Sequence, residues 1–100
     1  MVDQERTKNF LMSNLGSAMV RTFAIYEKND KETARKSVAE CFKIIGQLLE
    51  KENNPNGKKE INIIKIIIKK NILWGETDYE IKSKDWEIYF YPFQSRLFNW

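Results

Sequence analysis

One hundred residues are enough for one domain with one hydrophobic core, and too few for two. With 42% apolar and 31% charged residues the composition is that of a globular chain and excludes intrinsic disorder. A net charge of +3, from 17 Lys and Arg against 14 Asp and Glu, is small for a broadly basic nucleic-acid binder.

The opening MVDQERTKN carries no apolar run, so no signal peptide is expected. From Leu11 onward the period is helical. Leu11, Leu15, Ala18, Met19, Thr22, Phe23 and Tyr26 form one broad stripe, with Phe10, Met12, Val20 and Ile25 off it or at its edges. Gly16, Ser17 and Ala18 place three small residues mid-helix. A glycine there costs about 1 kcal/mol against alanine, and the usual return is close approach by a neighbouring element. The second helix or a partner helix is the expected neighbour.

The chain then turns. Asn29 followed three residues later by Glu32 has capping-box spacing. Ala34, Val38, Cys41, Phe42, Ile45, Leu48 and Leu49 make the second apolar stripe, opposite a face of Arg35, Lys36, Glu40, Lys43, Gln47 and Glu50. Asn53-Asn54-Pro55-Asn56-Gly57 stops this helix and turns the chain. A helical hairpin over residues 4–53 follows.

KKEINIIKIIIKK, residues 58–70, sets six isoleucines in eight positions between lysines. It is far short of the ~20 apolar residues of a membrane span. Lys58, Asn62, Lys65 and Lys69 would form a polar stripe on a helix. β-branching at six of eight positions favours a strand instead. On a strand Ile64, Ile66 and Ile68 share one face, and Ile61, Ile63 and Ile67 share the other with Lys65. Ile66→Lys is then expected to unfold the chain or break an oligomer, and Phe42→Ala to open a cavity costing ~3–5 kcal/mol.

Gly75–Asp78 reads as a turn, Tyr79–Lys82 as a strand, and Trp86, Ile88 and Phe90 as a further strand ended by Pro92. Ile72–Trp74 could pair as its own strand. The expected architecture is a single α+β domain: two antiparallel amphipathic helices packed on a C-terminal antiparallel sheet of three or four strands, with β-rich residues 60–92 and an aromatic tail, 93–100.

The absence of histidine removes the commonest general base and metal ligand. One cysteine builds neither a disulfide nor a zinc site, and Cys41 lies on an apolar stripe, so it reads as structural. The four glycines stand apart, so there is no phosphate loop. Neither enzyme nor cofactor is expected, and the expected location is the cytoplasm. The surplus of apolar residues points to a non-enzymatic interaction module: a homodimer or a subunit of a complex, with room for an apolar ligand between helices and sheet. Ile61, Ile63, Ile67, Phe93, Arg96, Phe98 and Trp100 are the candidate interface. The alternative is a small nucleic-acid-binding regulator that uses Lys58, Lys59, Lys65, Lys69, Lys70, Lys82 and Lys84. Lysines flanking an apolar segment also guard against aggregation without binding anything.

Overall fold

The first helix, α1, runs Gln4–Glu27 and buries Met12, Leu15, Ala18, Met19, Thr22 and Phe23. These positions recur every three or four residues, as one face of a helix must. Its end is a Schellman closure: the Asn29 N–H donates to the Tyr26 carbonyl (3.0 Å) and the Asp30 N–H to that of Ile25 (3.4 Å). Asn29 takes a φ of +66° to allow this, a left-handed conformation open to asparagine as well as glycine. Asp30 then caps α2 (Lys31–Lys51), its carboxylate accepting from the Thr33 N–H at 3.1 Å. The cap is therefore Asp30 and not Asn29, which is spent on the turn. Hydrogen bonding from the Thr33 side chain, then from this backbone N–H, holds the Asp30 carboxyl below its ordinary value.

The structure, a computed structural model, describes residues 4–75 and 81–98, without the side chains of residues 4–6 and 96–98. Among the described residues there is no strand, and the architecture is a bundle of four helices. This corrects the α+β expectation from residue 55 onward. α3 spans Pro55–Ile68 and continues without a break into a π-helical turn, Lys69–Leu73. Residues 72–74, a possible strand by sequence, belong to that turn and its end. α4 spans Ser83–Phe98. Of the expected strand over 79–82, residues 79 and 80 lie outside the described residues, and Ile81 and Lys82 are irregular.

Local chemistry explains the correction. In α3 Asn54 is an N-cap whose side chain accepts from the Asn56 N–H (2.9 Å), and Pro55 occupies the first helical position. Proline there has its φ preset and lacks only an N–H that the helix leaves unpaired anyway. The apparent stop signal is thus the start of a helix. The isoleucines then fall into helical phase. Ile61, Ile64, Ile68 and Ile72 are buried, while Ile63 and Ile66 are each 48% exposed. Burial of that stripe outweighs the few tenths of a kcal/mol by which each β-branched residue disfavours a helix.

In α4, Trp86, Phe90 and Phe93 repeat at i, i+4 and i+7 against the core. Ile88, read as the inward partner of Trp86 and Phe90 on a strand, is 67% exposed. Pro92 sits inside this helix rather than ending an element. It forgoes one hydrogen bond to the carbonyl of Ile88, a cost the aromatic packing of α4 offsets.

Side-chain contacts give the topology. Thr22 meets Ser37, Arg21 pairs with Glu40 (2.7 Å) and Lys8 with Glu52 (3.5 Å), so α1 and α2 are antiparallel. Glu27 accepts from the Ser83 N–H (2.6 Å), Phe23 meets Trp86, and Gly16 meets Phe90, so α4 also runs antiparallel to α1. α3 returns along α2 and is tied to α4 by Tyr89, whose hydroxyl donates to Glu60. The result is an up-down-up-down bundle with α1 central between α2 and α4. The close approach at Gly16 is made by α4: a Cβ there would stand 2.7 Å from Phe90 Cβ and Cγ.

Candidate interaction surface on the third helix

The outer side of α3 is set by the same period that buries its inner side. Lys59, Ile63, Ile66 and Lys70 follow one another at spacings of four, three and four residues, and all are exposed. Trp74, one turn further on, is 59% exposed. A second stripe, Lys58, Asn62, Lys65 and Lys69, flanks the first. Lys58 is exposed, Lys69 is half-buried, and Lys65 is half-buried with its Nζ 5.6 Å from the centroid of the Phe42 ring on α2. From Pro55 to Leu73 five lysines face one glutamate, a net +4, so the other residues of the chain together carry −1.

That single glutamate is already engaged, since Glu60 accepts the Tyr89 hydroxyl. Burial, then the hydrogen bond to Glu60 and its negative charge, push the Tyr89 phenol well above its ordinary value. Among the described residues none of Lys58, Lys59, Lys65, Lys69, Lys70, Lys82 and Lys84 is ion-paired with a carboxylate. Lys82 and Lys84 are exposed at the head of α4. They lie at the same end of the bundle as Lys69 and Lys70 and the opposite end from Lys58.

The expected interface residues part company. Ile61 is core, Ile63 is half-exposed and Ile67 is half-buried, so the strand face that joined them does not exist. Phe93 packs partly buried against Tyr89 and Phe90, with ring centroids at 6.3 and 6.2 Å. The side chains of Arg96 and Phe98, and Trp100 altogether, lie outside the described residues. Sequence reasoning missed Ile66 on α3, Trp74 just past the π-helical turn, and Ile88 and Tyr91 (67% and 66% exposed) on α4. Following the isoleucine run in helical phase would have found Ile66.

A cavity of about 180 Å³ opens at the end of the bundle where α1 begins. Met12, Leu48, Ile61 and Phe93 give it apolar walls, and the Lys8–Glu52 pair stands at its edge. It lies between helices, where the sequence placed a pocket between helices and sheet. Among the described residues no three His, Cys, Asp or Glu side chains gather to hold a metal, and no helix is long and apolar enough to cross a membrane.

Cys41 is fully buried between α1 and α2, 3.7 Å from the Thr22 hydroxyl, which itself donates to the Ala18 carbonyl at 2.8 Å. Burial raises its thiol above the ordinary 9.0. Tyr89 is likewise raised above 10.0. Both groups stay neutral in the fold while the unfolded chain releases those protons first. Stability should therefore be full below pH 9 and fall as pH climbs, the thiol acting first and the phenol above pH 10. Urea midpoints between pH 7 and 11 test this. Cys41→Ala should remove the first part of the decline and Tyr89→Phe the second.

The chain matches no family model, no curated protein and no solved structure.

Proposed function

We propose that the chain is a non-enzymatic interaction module, a subunit that binds other macromolecules through helix faces its own core leaves uncovered. The observation that carries this is the pair Ile63 and Ile66, half-exposed between Lys59 and Lys70 on a helix whose other face is already filled. Covering the exposed half of each isoleucine is worth about 1 kcal/mol. Exposed apolar centres with charged rims are the anatomy of protein interfaces.

Self-association has a separate surface. Two copies of α3 face to face would set +4 against +4. Ile88 and Tyr91 on α4 have Lys84 and Glu87 beside them, one charge of each sign, and that face forms the homodimer. Size-exclusion chromatography with light scattering at about 50 µM, a level at which micromolar contacts are occupied, should show a dimer. Ile88→Ser with Tyr91→Ser should be monomeric. A monomer in both samples withdraws the homodimer and leaves α3 as the sole interaction face.

A nucleic-acid reading is favoured by one observation, the seven lysines without a carboxylate partner among the described residues. It predicts binding to duplex or single-stranded nucleic acid that weakens steeply with salt. No binding at low salt would remove it.

A further inference from the structure

The outer face of α3 carries the spacing of a coiled-coil seam. Lys59, Ile63, Ile66 and Lys70 stand four, three and four residues apart, the alternation by which one helix lays its side chains into the holes of another. We propose that its occupant is an acidic amphipathic helix of a partner protein, with two aliphatic residues at the centre of its own seam and carboxylates at the outer seam positions. This rests on the reading of α3 as a docking face and names what docks there.

Charge selects the partner. Isoleucines at two successive seam positions suit helix–helix packing, whereas Lys59 and Lys70 at the outer two repel a second copy of themselves in either orientation. Polar residues at seam positions fix register and partner at some loss of stability, and the complement of a lysine is a carboxylate. The flanking Lys58 and Lys65 extend the same preference to the side of the seam. Lys59 to Lys70 spans about 16 Å, and continuing to Trp74 makes about 22 Å, four turns of a partner helix. Trp74, exposed at the end of this track, supplies a flat aromatic anchor of the kind interfaces favour. A phosphate backbone has no aliphatic surface to offer Ile63 and Ile66, which is why a protein helix fits better than nucleic acid.

The test uses the full chain and a labelled 18-residue peptide of sequence pattern Glu-x-x-x-Leu-x-x-Leu-x-x-x-Glu in a helix-forming background, followed by fluorescence anisotropy. Binding is expected with a Kd on the order of tens of micromolar. It should weaken by about tenfold or more for Ile63→Ser with Ile66→Ser, substitutions at exposed sites whose folding is checked by circular dichroism. Lys59→Glu with Lys70→Glu should abolish binding of this peptide and allow binding of one with Lys in place of Glu. Equal binding of a peptide with the same composition and dispersed leucines overturns the inference. Should duplex DNA or vesicles of phosphatidylglycerol and phosphatidylcholine bind in a way that depends on Lys59 and Lys70 while no peptide binds, the helical partner is wrong and the docking face stands. Indifference of every probe to these variants removes both.

Discussion

Ile68→Lys is expected to unfold the chain at room temperature, and Ile66→Lys, two residues away, to leave its melting temperature within a few degrees of the parent. Ile68 has no exposed surface and lies on the buried stripe with Ile61, Ile64 and Ile72. A lysine there would bring an ammonium group into the hydrophobic core, and among the described residues no carboxylate is buried to receive it. Losing the isoleucine's burial and adding an unpaired charge amounts to at least ~4 kcal/mol, a large part of the stability of a domain this size. Ile66 is 48% exposed beside Lys59 and Lys70, so a lysine there extends into water at a cost within about 0.5 kcal/mol. A strand would put both residues on one face and make the two variants equivalent. Thermal melts followed by circular dichroism decide it: equal losses of stability would refute the helical phase of α3.

Phe90→Ala should lower stability by about 3–5 kcal/mol, read from the urea midpoint at unchanged slope. Phe90 is fully buried, and its ring meets Tyr89 edge-on with centroids at 4.9 Å, Trp86 at 5.9 Å and Phe93 at 6.2 Å. It is seated directly against the Gly16 backbone, so that at this point α1 contributes no side chain to the contact with α4. Truncating the ring would leave a hole lined by both helices. The reverse change is also unfavourable. Gly16→Ala gains about 1 kcal/mol of helix propensity, and its Cβ, 2.7 Å from Phe90 Cβ, has to drive two backbones apart at a cost of about 1–3 kcal/mol. Phe42→Ala, by contrast, is milder than the sequence suggests, because Phe42 is only half-buried beneath Lys65.

The first half of the fold was legible because α1 and α2 repeat their apolar residues at a helical period with no competing signal. Even there the cap was displaced by one residue: Asn29 and Asp30 are both good caps, and only the backbone turn shows that Asn29 is needed at positive φ. The second half was misread for two physical reasons. Isoleucine has strand propensity, yet propensity is a weak preference beside the burial of four isoleucines on one helical stripe. Asn54-Pro55 is chemically both an end and a beginning, since proline that forbids continuing one helix is well suited to open the next. In α4, Trp86 and Phe90 satisfy a period of two and a period of nearly four equally well. Phe93 decides for the helix, and Pro92 had argued against extending so far. Within the candidate site, the lysines and Ile63 could be named from sequence. Ile61 and Ile67 were wrongly joined to them, because a strand alternates faces every residue and a helix does not.

The joint between Glu27 and Ser83 bears on how the molecule is assembled. Lys82, ahead of the first turn of α4, has no side-chain oxygen to cap it. Asp85 reaches back to the Lys82 N–H (2.9 Å), and the Ser83 N–H and hydroxyl go to the two carboxylate oxygens of Glu27, 56 residues earlier. The start of α4 is therefore capped by the last turn of α1. Until the last turn of α1 has formed, Glu27 is not held where Ser83 can reach it, which ties the start of α4 to the prior folding of α1.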